Sequence, residues 1–148
     1  VLASGAVMFP IAFSAGSVEG RTLRADDIAG ISDLYDGPGF LDATGSISGR
    51  VTKNGTGVFG AHVVAFNPET GKLVGTFTLS DDGSFAIAGL DPGTHIVRVE
   101  PLDDADLNSF FPEDRVVDLQ FKVTFLDKLA IVPRGGNSGP FEIKVAAK

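Results

Sequence analysis

The chain predicts a mainly β fold, an antiparallel sandwich of seven to eight strands preceded by an extended apolar segment and one α-helix. Three observations predict it. Short apolar runs rich in β-branched residues recur between Gly45 and Lys148. Polar or glycine-rich turn signals separate those runs at close intervals, and only Leu23 to Tyr35 carries apolar residues at helical spacing. Turns this closely spaced favour a sandwich over alternating strand and helix units.

Val1 to Gly16 is strongly apolar. It has the composition of a signal-peptide core but lacks a basic start, and Gly5 and Pro10 interrupt it. If exposed, Val7, Met8, Phe9, Ile11 and Phe13 form an apolar patch of the kind that marks an interaction surface. The polar Ser17 to Thr22 leads into the helix. Asp26 and Asp27 stand in its first turn, where carboxylates favour the positive end of the backbone dipole. Ile28, Ile31, Leu34 and Tyr35 make one apolar stripe, and Gly37 with Pro38 ends the helix. Phe40 to Thr44 is a short connector.

The strands follow. Ile47 and Val51 share one face of a first strand, and Thr52 to Gly57 is a polar reversal. Val58 to Phe66 is apolar on both faces, as a central strand covered on both sides must be. Asn67-Pro-Glu-Thr-Gly71 closes it as a turn. Leu73, Phe77 and Leu79 are expected to share a face, and Asp82-Gly83 is a hairpin signal. Phe85 and Ile87 alternate with Ser84 and Ala86; Leu90-Asp-Pro-Gly93 is another tight turn; His95, Val97 and Val99 then lie opposite Ile96, Arg98 and Glu100.

Within this region Ser48-Gly-Arg-Val51, Gly60-Ala61-x-Val63, Pro68-Glu-Thr-Gly71, Ser80-Asp-Asp-Gly-Ser-Phe85 and Gly89-Leu-Asp-Pro-Gly-Thr-His95 stand in order. Together they resemble the carboxypeptidase regulatory-like domain, a prealbumin-like sandwich. His95 departs from it, since that family more often places an inward tyrosine there. The resemblance implies an accessory role in secreted or surface proteins and no catalytic residues.

Ala6-Val-Met-Phe-Pro10 followed by Leu23-Arg-Ala-Asp-Asp-Ile-Ala-Gly-Ile-Ser-Asp-Leu-Tyr-Asp-Gly37 resembles the end of a matrixin-type zinc metallopeptidase domain, its Met-turn and closing helix. The resemblance implies that Met8 corresponds to the methionine beneath the metal, and Asp26 and Asp27 to the carboxylates tying the helix to the Met-turn region. The His-Glu-x-x-His-x-x-Gly-x-x-His pattern that holds zinc is missing, and the two histidines, His62 and His95, both fall on expected strands. No zinc hydrolase assembles from these residues.

After an acidic loop from Asp103 to Asp114, Val117, Leu119, Phe121, Val123 and Phe125 alternate with polar residues as a half-buried strand. Leu129 to Val132 and Phe141 to Val145 supply two more. The expected organisation is therefore a metallopeptidase remnant over 1–37, a linker over 38–44 and the sandwich over 45–148.

Composition narrows the function. A net charge of −7, with no Lys or Arg cluster, disfavours nucleic acid. The absence of cysteine removes disulfides, thiolate zinc and thiol catalysis. No run reaches the roughly 18 apolar residues of a membrane span. Asp104, Asp106 and Asn108 resemble half a calcium loop, but Ser109 and Arg115 stand where its glycine and closing glutamate belong, so a solvated acidic turn is expected. Serines lack histidine and carboxylate partners, and His95 reads as a core histidine bonded to a nearby carbonyl. No cofactor is expected. The expectation is a non-catalytic extracellular or cell-surface structural module that associates with itself. Val7, Met8, Phe9, Ile11 and Phe13 would be donated to a neighbouring sandwich, supported by Ile28, Ile31, Leu34 and Tyr35; donor and acceptor surfaces that differ give open filaments. The competing expectation is an accessory substrate-binding or orienting domain of an active zinc metallopeptidase.

Overall fold

The computed structural model describes residues 23–35, 37–103, 107 and 111–148. They form two helices, α1 (Ala25–Leu34) and α2 (Phe40–Ala43), and nine strands: β1 (Gly45–Lys53), β2 (Thr56–Gly57), β3 (His62–Phe66), β4 (Leu73–Phe77), β5 (Ser84–Leu90), β6 (Gly93–Glu100), β7 (Thr124–Phe125), β8 (Ala130–Val132) and β9 (Asn137–Val145). The fold is mainly β, two sheets packed face to face.

In the first sheet β1 pairs with β5 and β2, and with β9 along its other side; the β1–β9 pair is parallel. The second sheet runs β4-β3-β6-β7, with β8 also paired to β6. Ile47 and Val51 of β1, Phe85 and Ile87 of β5, and Ile143 and Val145 of β9 meet Val63 and Ala65 of β3, Val74 of β4, and Val97 and Val99 of β6 in one core. Side chains alternate across each strand, so the second sheet turns its other set outward: His62, Val64, Arg98 and Glu100.

Local chemistry sets the turns. Asn54 and Gly55 both have positive φ, 53° and 84°, which gives the β1–β2 hairpin the twist its strands need. Asn67 is buried, and its Oδ1 accepts the Glu69 and Thr70 N–H groups at 2.9 and 3.1 Å. Thr78 is also buried; its hydroxyl accepts from Ala61 N–H and donates to Val58 O, tying the approach to β3 to the end of β4.

Leu73 and Phe77 share a face of β4, as expected; it lies opposite the inward Val74, whose partner Ala65 points into the core, and Leu79 is exposed beyond the strand. One expected strand differs in the structure. The expected strand over Val117 to Phe125 is broken. Phe121 bridges Ala147 beside the first sheet, while Thr124 pairs with Val99 in the second, so the chain changes sheets within three residues. Asp118 also accepts the Gln120 N–H, a local turn that competes with extension. Only Phe121 of that set is buried; Val123 and Phe125 are exposed.

Helix α1 lies against β4 and β5, the edge strands of the two sheets on one side of the sandwich. Edge strands present unpaired backbone groups, and a covering helix is one way to protect them.

Candidate functional site

The helix docks by a face its apolar pattern does not announce. Asp27 and Ala29 are its buried residues. Asp27 Oδ2 accepts the Arg24 N–H at 2.9 Å and fixes the first turn. Asp26 Oδ1 accepts the Gly75 N–H of β4 at 2.8 Å. Burial pushes the Asp26 carboxyl above the usual aspartate range, against the Gly75 N–H and the nearby His62, which pull it down. Ala29 packs on Gly89 of β5, where an added Cβ would stand 2.9 Å from the alanine methyl. With this face inward, Ile28, Ile31, Leu34 and Tyr35 are turned out, and Leu34 and Tyr35 are 75% and 79% exposed. The stripe expected to support self-association is therefore an outward apolar surface on a helix held by polar and small side chains. The other residues expected to act, Val7, Met8, Phe9, Ile11 and Phe13 and the calcium candidates Asp104, Asp106 and Asn108, lie outside the described residues.

The two histidines are apart in role. His62 sits on the outward side of β3, 4% exposed, with its ring stacked on Phe77 at 5.0 Å. Its Nδ1–H donates to Glu100 Oε1 at 3.1 Å, and Arg98 Nη2 holds Glu100 Oε2 at 2.6 Å. The bond from His62 comes first among the effects that hold Glu100 below the usual glutamate range; burial opposes it and the Arg98 charge adds to it. Phe111 packs on both Phe77 and Phe59, and Arg115 stands 4.2 Å over the Phe59 ring. A histidine–carboxylate pair activates a nucleophile only when a hydroxyl or thiol reaches the other ring nitrogen. Here that nitrogen faces Gly75, where an added Cβ would lie 2.8 Å from it. The cluster is a polar tie across β3 and β6. Sequence pattern missed it, although the opposite positions of His62 and Glu100 follow from strand pairing.

His95 lies on the inward face of β6 beside Val97 and Val99, 2% exposed, and its Nδ1–H donates to Gly93 O at 3.2 Å. Burial pushes its pKa down, against the Gly93 carbonyl and the Asp91 charge. Among the described residues no group of three His, Cys, Asp or Glu is placed to hold a metal ion. No described helix is long and apolar enough to cross a membrane.

No curated protein matches the chain. Among solved structures, the Bacillus anthracis TIE protein is similar at 20% identity and a TM-score of 0.45; the likeness covers 71% of this chain and 17% of that one. This chain thus spans about a sixth of that protein's length. Residues 46–105, strands β1 to β6 and the turns between them, match the carboxypeptidase regulatory-like domain.

Proposed function

We propose that the chain is a non-catalytic, self-associating structural module of a secreted or cell-surface protein. The observation that carries this reading is the outward stripe of α1, Ile28, Ile31, Leu34 and Tyr35, on a helix fixed to the sandwich from its other side. The apolar Val1 to Phe13 is the donated segment, and the sandwich of a neighbouring copy receives it. The match over 46–105 supports an accessory rather than catalytic role.

The second reading is an accessory domain of a matrixin-like zinc metallopeptidase. It is favoured by the same stripe, since a helix whose apolar side faces away from the sandwich suits packing against a preceding peptidase body. Light scattering and negative-stain imaging of the 148-residue chain, beside a version lacking Val1 to Gly16, separate the two. Polymers that vanish on truncation support self-association. Compact monomers in both cases reject it and favour the accessory reading.

A further inference from the structure

We propose that the cleft between α1, α2 and the sandwich binds a small apolar carboxylate with a hydrogen-bond donor at its far end, the chemistry of a tyrosine at a peptide C-terminus. The cleft measures about 370 Å³, within the range of small-ligand sites, about 300–1,000 Å³. Ile28 of α1, Phe40 of α2, Val74 of β4 and Leu90 of β5 line it with apolar surface.

The side chain of His95 also lines this cleft, and it is all but buried. Because Nδ1 gives its proton to a carbonyl, the neutral ring leaves Nε2 as an acceptor. Burial favours that neutral form. Nε2 has no hydrogen-bond partner among the described residues, and the ring that carries it lines the cleft. An acceptor set in apolar walls is matched by a hydroxyl or N–H.

The rim supplies the other end. Lys72 is neutralised by Asp91 at 2.8 Å. Arg24 is exposed, and no carboxylate among the described residues pairs with its guanidinium. One uncompensated cation thus stands over an apolar cleft in a chain of net charge −7. Arginine presents a planar fork suited to a carboxylate. The carboxylate would meet Arg24, the aromatic body would fill the walls, and the phenolic hydroxyl would donate to His95 Nε2.

The test is an NMR titration of the full chain with N-acetyl-tyrosine, N-acetyl-phenylalanine and N-acetyl-tyrosinamide, following the Ile28, Val74 and Leu90 methyls and the His95 Nε2 shift. The expected result is saturable binding of N-acetyl-tyrosine with a moved Nε2 signal. Each analogue, lacking one end of the contact, should bind about tenfold more weakly. Arg24→Gln, an exposed substitution whose fold is checked by unchanged Val74 and Leu90 methyl shifts in the free chain, should reduce N-acetyl-tyrosine to the level of its amide. If 3-(4-hydroxyphenyl)propanoate binds as well as N-acetyl-tyrosine, a free acid satisfies the same chemistry and the site stands. Absence of saturable shifts with N-acetyl-tyrosine, equal affinity for the three N-acetyl probes, or indifference to Arg24→Gln overturns it.

Discussion

Asp26 Oδ1 and the Gly75 amide meet at 2.8 Å, joining the first turn of a helix to the outer edge of a strand 49 positions later. A carboxylate here replaces the neighbour strand that the edge amide lacks. The bond also explains why α1 faces as it does: the first turn is pinned at Asp26, Ala29 follows onto Gly89, and the apolar stripe is left outside.

Asp26→Ala removes the acceptor and should destabilise the fold by about 1–2 kcal/mol. Asp26→Asn keeps an acceptor and discards a partly buried charge. Because the folded carboxyl has a raised pKa, its contribution is fully present below the unfolded aspartate value, 3.8, and is lost as pH rises through the folded value. The asparagine variant should therefore gain on the native chain as pH rises through that window. Urea unfolding at a series of pH values measures this; parallel profiles for the two chains would contradict it.

Glu100 has the opposite sign. Held below its ordinary 4.5, it stabilises the fold above that value and the contribution fades as pH falls through the lower, folded value. Glu100→Gln should lower stability at pH 7 by about 2 kcal/mol, since His62 and Arg98 both lose an ionised acceptor. The gap to the native chain should close in acid, as thermal melts at pH 3 and pH 7 will show.

Gly89 and Gly71 form a matched pair. Their φ values are 70° and 71°, but a Cβ on Gly71 meets nothing within 4 Å, whereas one on Gly89 meets Ala29. Alanine at either site should cost about 1 kcal/mol of backbone strain. Gly89→Ala should in addition loosen α1, read as faster amide exchange over Ala25–Leu34 than in Gly71→Ala. Equal exchange in the two variants would show that Ala29 does not hold the helix.

The outward stripe is tested by Leu34→Lys with Tyr35→Ser. Both residues are largely exposed, so the melting temperature should barely change, within about 0.5 kcal/mol of stability. Under the self-association reading the scattering mass should fall to that of a monomer. Persistence of polymers in this variant would remove α1 from the contact.

Much of the sandwich was legible because its signals are local. Asn54-Gly55, Asn67 and Asp91-Pro92 set turns through their own backbone preferences, and alternation put His95 with Val97 and Val99 on a core face, with the bond from His95 to a nearby carbonyl; it set Phe85 and Ile87 apart from Ser84 and Ala86, and the structure turns that pair inward. What failed depends on distant partners. The alternation from Val117 to Phe125 looks like one strand, yet Phe121 and Thr124 take partners in different sheets. The stripe of α1 was visible, but its outward direction depends on Gly75 and Gly89, which no helical periodicity contains. The cleft was invisible for the same reason: Arg24, Phe40, Val74 and His95 come from four separate elements or their flanks.

The parallel pairing of β1 with β9 sets an order of events during synthesis. Ser46 bonds Asn137 across 91 positions, so β1 emerges long before the strand that completes one of its sides. Loop closure over such separations is slow, with folding of comparable β topologies on the order of milliseconds to seconds. Until β9 arrives, the nascent chain displays the unpaired backbone edge of β1 to every other nascent copy nearby. Crowded translation of this chain therefore favours strand exchange between copies, and dilution during refolding should raise the yield of the closed sandwich.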